Sequence, residues 1–153
     1  MHKLTTCLFL FVCVSVFSAF QASDGASCDS KNLRERAKKT LDPFKYDSAK
    51  LTKITYKTKE SVKEVEVPLF IGEKYRFVFN TEGISKPVII SVYNKDKDAR
   101  TRKLLFSTEG TPAAEKQQVW EHTHSMKVFV DYSIPAADST ATPGCVFFML
   151  GYQ

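Results

Sequence analysis

Apolar residues recur at every second position through Val65–Phe79, VEVPLFIGEKYRFVF, and that period constrains the fold more than any other feature. Val65, Val67 and Leu69 are spaced by two, with Glu64 and Glu66 between them. Tyr75, Phe77 and Phe79 repeat the pattern against Lys74 and Arg76. A period of two puts each apolar set on one face of an extended strand; a helix would scatter it. Ile71-Gly72-Glu73-Lys74 reads as the turn between. The stretch is expected to form two paired scaffold strands, with Glu64, Glu66, Lys74 and Arg76 facing solvent.

The same period returns along the chain. Lys50–Thr58 alternates Ile54 and Tyr56 with Lys53, Thr55 and Lys57. Pro87–Asn94 is apolar on both faces, which predicts a central strand. Leu104-Leu105-Phe106 is a short strand. Gln118–His124 places Val119 and Glu121 on one face and Trp120, His122 and His124 on the other. Ser125–Ile134 and Cys145–Gln153 flank the small-residue loop PAADSTATPG and read as a hairpin. Its apolar last strand is expected to be central or covered. About seven or eight short strands with turn signals roughly ten residues apart predict an all-β fold, a β-sandwich or jelly roll. A closed small barrel is the alternative.

One short N-terminal helix precedes the strands. Leu33, Ala37 and Leu41 are spaced by four, Asp29 or Ser30 can cap the start, and Asp42-Pro43 stops it. Lys38 and Lys39 suit the C-terminal end of the helix dipole. The helix is expected to lie over an open end or edge of the sheet.

The first residues combine Lys3 with the apolar run Leu8–Phe20 and then QASDGAS, the pattern of a secretory leader. The reading is a signal peptide over 1–23, an N-terminal segment over 24–49 and a β domain over 50–153. Ala22, Ser23 and Ala26 compete as the last leader residue, and an uncleaved anchor is the rival reading. No second run is long enough to span a bilayer.

Cleavage removes Cys7 and Cys13 and leaves Cys28 and Cys145, expected to pair in an oxidising compartment. The competing use of Cys28 is lipidation, because Gly25-Ala26-Ser27 precedes it. Localisation is expected to be secreted or periplasmic.

Charge and motif content narrow the chemistry. The net charge is +5, one less without Lys3, with cations and anions mixed. That balance favours contact with anionic surfaces but is no nucleic-acid footprint. The sequence contains no G-x-S-x-G, no H-E-x-x-H and no Gly-rich phosphate loop. No catalytic residue is assigned and no cofactor is expected. His122 and His124 share a face and are weak metal candidates that need a third ligand. Asp96 and Asp98 lack the oxygen spacing of a calcium loop. Lys95, Lys97, Arg100, Arg102 and Lys103, with strand-side Lys53 and Lys57, are candidate contacts for acidic glycans, lipopolysaccharide or phospholipid headgroups, and Trp120 with Tyr93 or Tyr132 is a candidate sugar-stacking platform.

The stretches VPLFIGEKYRFVF, VIISVYN, MKVFVDYSI and GCVFFMLGYQ resemble, in layout, the bacterial secreted β-sandwich modules of the pre-peptidase C-terminal type. Modules of that type are appended to exported enzymes and lack catalysis of their own. The resemblance therefore implies a non-enzymatic accessory role and transfers no site residue. This chain departs from the type by its Cys28–Leu41 segment and its two cysteines.

The function expected from the sequence is a secreted, non-catalytic binding or accessory protein. A small-ligand or lipid carrier and an anionic glycan- or surface-binding module are the alternatives, and another secreted protein is a further possible partner.

Overall fold

The structure is a computed structural model and describes residues 28–123, 125–138 and 140–153. The leader, Cys7 and Cys13 lie outside the described residues, as does His124. The chain runs α1 (Ser30–Leu41), β1 (Lys45–Ile54), β2 (Ser61–Pro68), β3 (Tyr75–Asn80), β4 (Ile89–Tyr93), β5 (Leu104–Ser107), β6 (Gln117–His122), β7 (Lys127–Ile134) and β8 (Gly144–Tyr152).

The strands form two four-stranded antiparallel sheets, β1-β8-β3-β6 and β2-β7-β4-β5. β1 pairs with β8, β2 with β7, β3 with β6 and β4 with β5. This is one long double ribbon, wrapped so that β8 also meets β3 and β7 also meets β4. The wrapped ribbon is the jelly roll, within the all-β class expected from the strand pattern.

The wrapping overturns two expected pairings. β2 and β3 are not a hairpin, and neither are β7 and β8; each pair is split between the sheets. Side-chain pattern explains the split. β3 buries Tyr75, Phe77 and Phe79 on one face and Val78 on the other, so it needs cover on both sides. β2 alternates Glu64 and Glu66 with Val65 and Val67, which suits an edge, and Pro68 ends it where no further amide donor is required. Residues 69–74 carry the chain from one sheet to the other.

The two faces of β8 define two cores. Val146, Phe148 and Leu150 face the opposite sheet and join Phe77, Phe79, Ile90, Val92, Val130 and Tyr132. Aromatic rings fill this space: Phe79 lies 5.3 Å from Phe148, and Phe77 5.7 Å from it. Cys145, Phe147 and Met149 point outward and are covered by Leu33, Ala37 and Leu41 of α1, together with Phe44 and Val78. The helix therefore lies on a sheet face, not over an end or edge as its length suggested. A strand that is apolar on both faces supplies the reason, since its outer face would otherwise meet water.

Local chemistry fixes α1 in place. The Asp29 carboxylate accepts from the amides of Lys31 and Asn32, each at 3.1 Å. At the other end Arg76 donates to the carbonyls of Thr40 at 3.3 Å and Asp42 at 2.6 Å, satisfying acceptors the helix leaves open. Arg76 also lies over the Phe44 ring, 4.3 Å from its centre. Thus Arg76, expected on a solvated face, is a clamp between helix and sheet. A disulfide joins Cys28 to Cys145, with Cα atoms 5.6 Å apart, and ties the start of α1 to β8. The Cys28 sulfur is thereby engaged and is not open to lipidation.

β1 begins at Lys45, earlier than the expected Lys50. Residues 45–48 have no apolar alternation, and they become strand because Lys45 pairs with Tyr152 and Tyr46 with Gly151. Among the described residues no helix is long and apolar enough to cross a membrane.

Candidate functional site

The registers sort the connections to the two ends of the sandwich. One end collects 42–44, 69–74, 94–103, 123–126 and the C-terminal Gln153. The other collects 55–60, 81–88, 108–116 and 135–143. Lys45, Lys74, Lys95, Lys97, Arg100, Lys103 and Lys127 gather at the first end, against Asp42, Asp47, Glu73, Asp96 and Asp98. Lys57, Lys59, Lys86 and Lys116 stand at the second, against Glu60, Glu82, Glu109, Glu115 and Asp138. Several of these charges are paired, Lys74 with Glu121, Lys127 with Glu66 and Glu82 with Arg36, so both ends are mixed and the basic feature of the first end is the group of exposed cations in 94–103.

The loop 94–103 holds most of the predicted basic contacts, and the structure divides them into two kinds. Lys95, Lys97, Arg100 and Lys103 are exposed. Arg102 turns inward. It donates to Asp131 at 2.8 Å and to Glu64 at 3.1 Å, and its guanidinium stacks 3.6 Å from the centre of the Tyr93 ring. Its own Nε donates to the Lys95 carbonyl at 3.1 Å. Burial works to lower the Arg102 pKa, but the Asp131 hydrogen bond and the charges of Asp131 and Glu64 outweigh it, and the net shift is upward. Arg102 is a staple, not a ligand contact.

Further bonds set the loop's shape. The Lys97 amide donates to the same Glu64 carboxylate at 2.7 Å, the Lys103 amide to the Asn94 side chain at 2.7 Å, and Lys95 to Thr101 at 2.6 Å. Glu64 was expected on a solvated face; instead it anchors the loop to β2. The exposed cations therefore sit on a braced frame.

Trp120 is half-buried. Its ring packs against Phe77 at 4.8 Å, Phe106 at 5.8 Å and His122 at 4.7 Å, all measured between centroids. It closes the rim of the intersheet core. His122 also meets Ser125, Nε2 to Oγ at 2.5 Å. The weak metal pairing of His122 with His124 extends beyond the described residues. Among those residues, no group of three or more His, Cys, Asp or Glu side chains could hold a metal ion.

Glu121 anchors a second polar cluster near this end. Lys74 pairs with its Oε2, and Arg76 donates to its Oε1 at 2.6 Å. Hydrogen bonds from Lys74 and Arg76 hold its carboxyl below the ordinary carboxylate value.

Sequence reasoning passed over the apolar part of this end. Phe70, Ile71 and Met126 are 76%, 71% and 70% exposed, whereas among the described residues every other exposed large apolar side chain is at 52% or less. The Leu69 amide donates to the Met126 carbonyl at 2.8 Å and brings the two connections together. The signal was present: Leu69-Phe70-Ile71 breaks the period of two with consecutive apolar residues just before Gly72, where a turn is ordinarily polar.

The geometry defines a class: a disulfide-tied jelly-roll domain with a helix over one sheet, an aromatic intersheet core and an exposed basic loop at one end. In comparisons with known proteins, no family model and no curated protein matches the chain.

Proposed function

We propose that the chain is a secreted, non-catalytic binding or accessory module that engages anionic surfaces through its 69–74 end. The carrying observation is a group of exposed cations on one braced loop: Lys95, Lys97, Arg100 and Lys103 stand together at the 69–74 end, which they share with Lys45. A braced loop supports this reading, because cations held on a fixed frame lose little freedom on contact. Export rests on the leader read in the sequence, and the disulfide agrees with an oxidising compartment. The accessory role also agrees with the layout shared with pre-peptidase C-terminal modules. A carrier would need an intersheet cavity where Phe77, Phe79, Phe148 and Trp120 pack.

Retention on immobilised heparin and on anionic vesicles, compared with neutral controls, tests the reading. The quadruple variant Lys95→Gln, Lys97→Gln, Arg100→Gln, Lys103→Gln should lose retention on both while keeping the β signature in far-UV circular dichroism. Equal retention of variant and parent would overturn it.

A further inference from the structure

We infer that Phe70, Ile71 and Met126 form a wedge that enters the headgroup–acyl boundary of an anionic phospholipid bilayer. The inference rests on the reading that the 69–74 end is the binding end, and it names what that end meets.

Three observations carry it. First, the three most exposed large apolar side chains of the described chain belong to two connections tied by the Leu69–Met126 hydrogen bond. Apolar residues scattered singly over a surface are ordinary; a cluster at one tip is not.

Second, the tip is already held in its exposed form. Leu69 is buried beneath it, the Phe70 amide donates to the Tyr75 hydroxyl at 2.9 Å, and Gly72 turns the chain with φ of 100°. No residue has to be unpacked for Phe70 and Ile71 to enter an apolar phase. The recess beside Phe70, about 270 Å³, is lined by Asp47, Glu73, Tyr75 and Tyr152, so it gives a partner's apolar side chain no dry socket. A bilayer needs no socket.

Third, cations flank the wedge. Lys127 follows Met126 directly and Lys74 follows the turn; each is paired with a carboxylate, Glu66 and Glu121, yet their side chains stay 52% and 47% exposed, with long stems that can turn to a headgroup. The exposed cations of 94–103 stand at the same end. Apolar insertion combined with a basic surround is the two-signal arrangement that gives stable, anion-dependent attachment; either signal alone is weak. A glycan would use the cations and leave the wedge in water.

The test uses the disulfide-bonded chain and vesicles of phosphatidylcholine with and without phosphatidylglycerol. Sedimentation should show binding to the anionic vesicles only. The double variant Phe70→Ser, Ile71→Ser should weaken that binding by about ten-fold or more, and Met126→Ser by a smaller factor. All three positions are exposed, so far-UV circular dichroism and the unfolding midpoint should not change. Phe70→Trp should give a blue-shifted emission quenched by brominated acyl chains when anionic vesicles are added. Heparin retention should survive the double variant.

Retention on heparin without vesicle binding would overturn the wedge and leave the anionic-surface reading standing. Absence of both would end both. Vesicle binding indifferent to the double variant would reject the wedge. Concentration-dependent self-association in sedimentation velocity, abolished by the same variant, would assign the patch to a second copy of the chain.

Discussion

Arg102 donates to Asp131 at 2.8 Å while its guanidinium lies 3.6 Å from the centre of the Tyr93 ring. Asp131 is only 5% exposed, and its second oxygen, Oδ1, is buried without a hydrogen-bond partner among the described residues. The arginine is what makes a carboxylate tolerable there. Because it also reaches Glu64, it ties the 94–103 loop to both β2 and β7.

Arg102→Ala should therefore destabilise the fold by about 3–5 kcal/mol, since it leaves a buried carboxylate uncompensated. Arg102→Lys should recover only part of that loss, because an ammonium cannot reproduce the fork to two carboxylates and the stack on Tyr93. Adding Asp131→Asn to Arg102→Ala should restore stability toward the parent. Urea unfolding of the four proteins measures each term, and a loss under 1 kcal/mol for Arg102→Ala would contradict the staple.

Glu121 predicts an acid-dependent term. Its folded pKa lies below the ordinary 4.5 because Lys74 and Arg76 hydrogen-bond the ionised form. A depressed carboxylate contributes stability that is complete above its unfolded value and is lost as pH falls through its folded value. Glu121→Gln should thus be less stable than the parent at pH 7, with the gap narrowing progressively below about pH 4.5. Urea midpoints at several values between pH 3 and 7 check this; a gap independent of pH would exclude the ionic origin.

The Cys28–Cys145 bond closes a sequence separation of 117 residues. Replacing both cysteines by serine should cost about 2–4 kcal/mol, mainly by freeing the unfolded chain. Local packing should also loosen where α1 meets β8. Intact mass with and without reductant should differ by two hydrogens, and hydrogen exchange of the double-serine protein should rise first in Ser30–Leu41.

Gly144 opens β8 beneath the 81–84 turn. The Cys145 amide donates to the Gly83 carbonyl at 2.7 Å. A Cβ at position 144 would run into that carbonyl oxygen and come within 3.0 Å of the Ile84 Cα, both backbone atoms with little freedom to retreat. Gly144→Ala should destabilise by about 1–3 kcal/mol in thermal or urea unfolding. Gly110→Ala, at a position with open space around it but φ of 80°, should act only through backbone strain and cost less.

Much of the architecture was legible because it is local. The period of two in β3, β7 and β8 marked strands, and both-face apolarity marked β8 as a strand that needed cover. Leu33, Ala37 and Leu41 gave α1, and Asp29 and Asp42-Pro43 bounded it. With the expected leader set aside, two cysteines allowed one pairing, which the structure forms. The basic loop was visible as composition, but which of its cations faced water was not. Arg102 and Arg100 have the same charge and nearly the same neighbours; only the nearby carboxylates of Glu64 and Asp131, from distant strands, separate their fates.

Alternation is a property of a few neighbouring residues, so the sequence by itself determined that this chain forms short strands and one capped helix, while the choice between a disulfide and lipidation at Cys28 was made by the fold, which brings Cys145 beside it. Strand partners are decided by which surfaces remain to be buried once the whole ribbon wraps. That is why β2 and β3 part, why residues 45–48 become strand against Tyr152 and Gly151, and why Trp120 packs at the rim of a core against Phe77. The exposure of Phe70, Ile71 and Met126 belongs to the same level. A run of apolar residues near a glycine is ambiguous along the chain, and only the crossing from one sheet to the other puts it at a tip, where nothing in the described fold covers it.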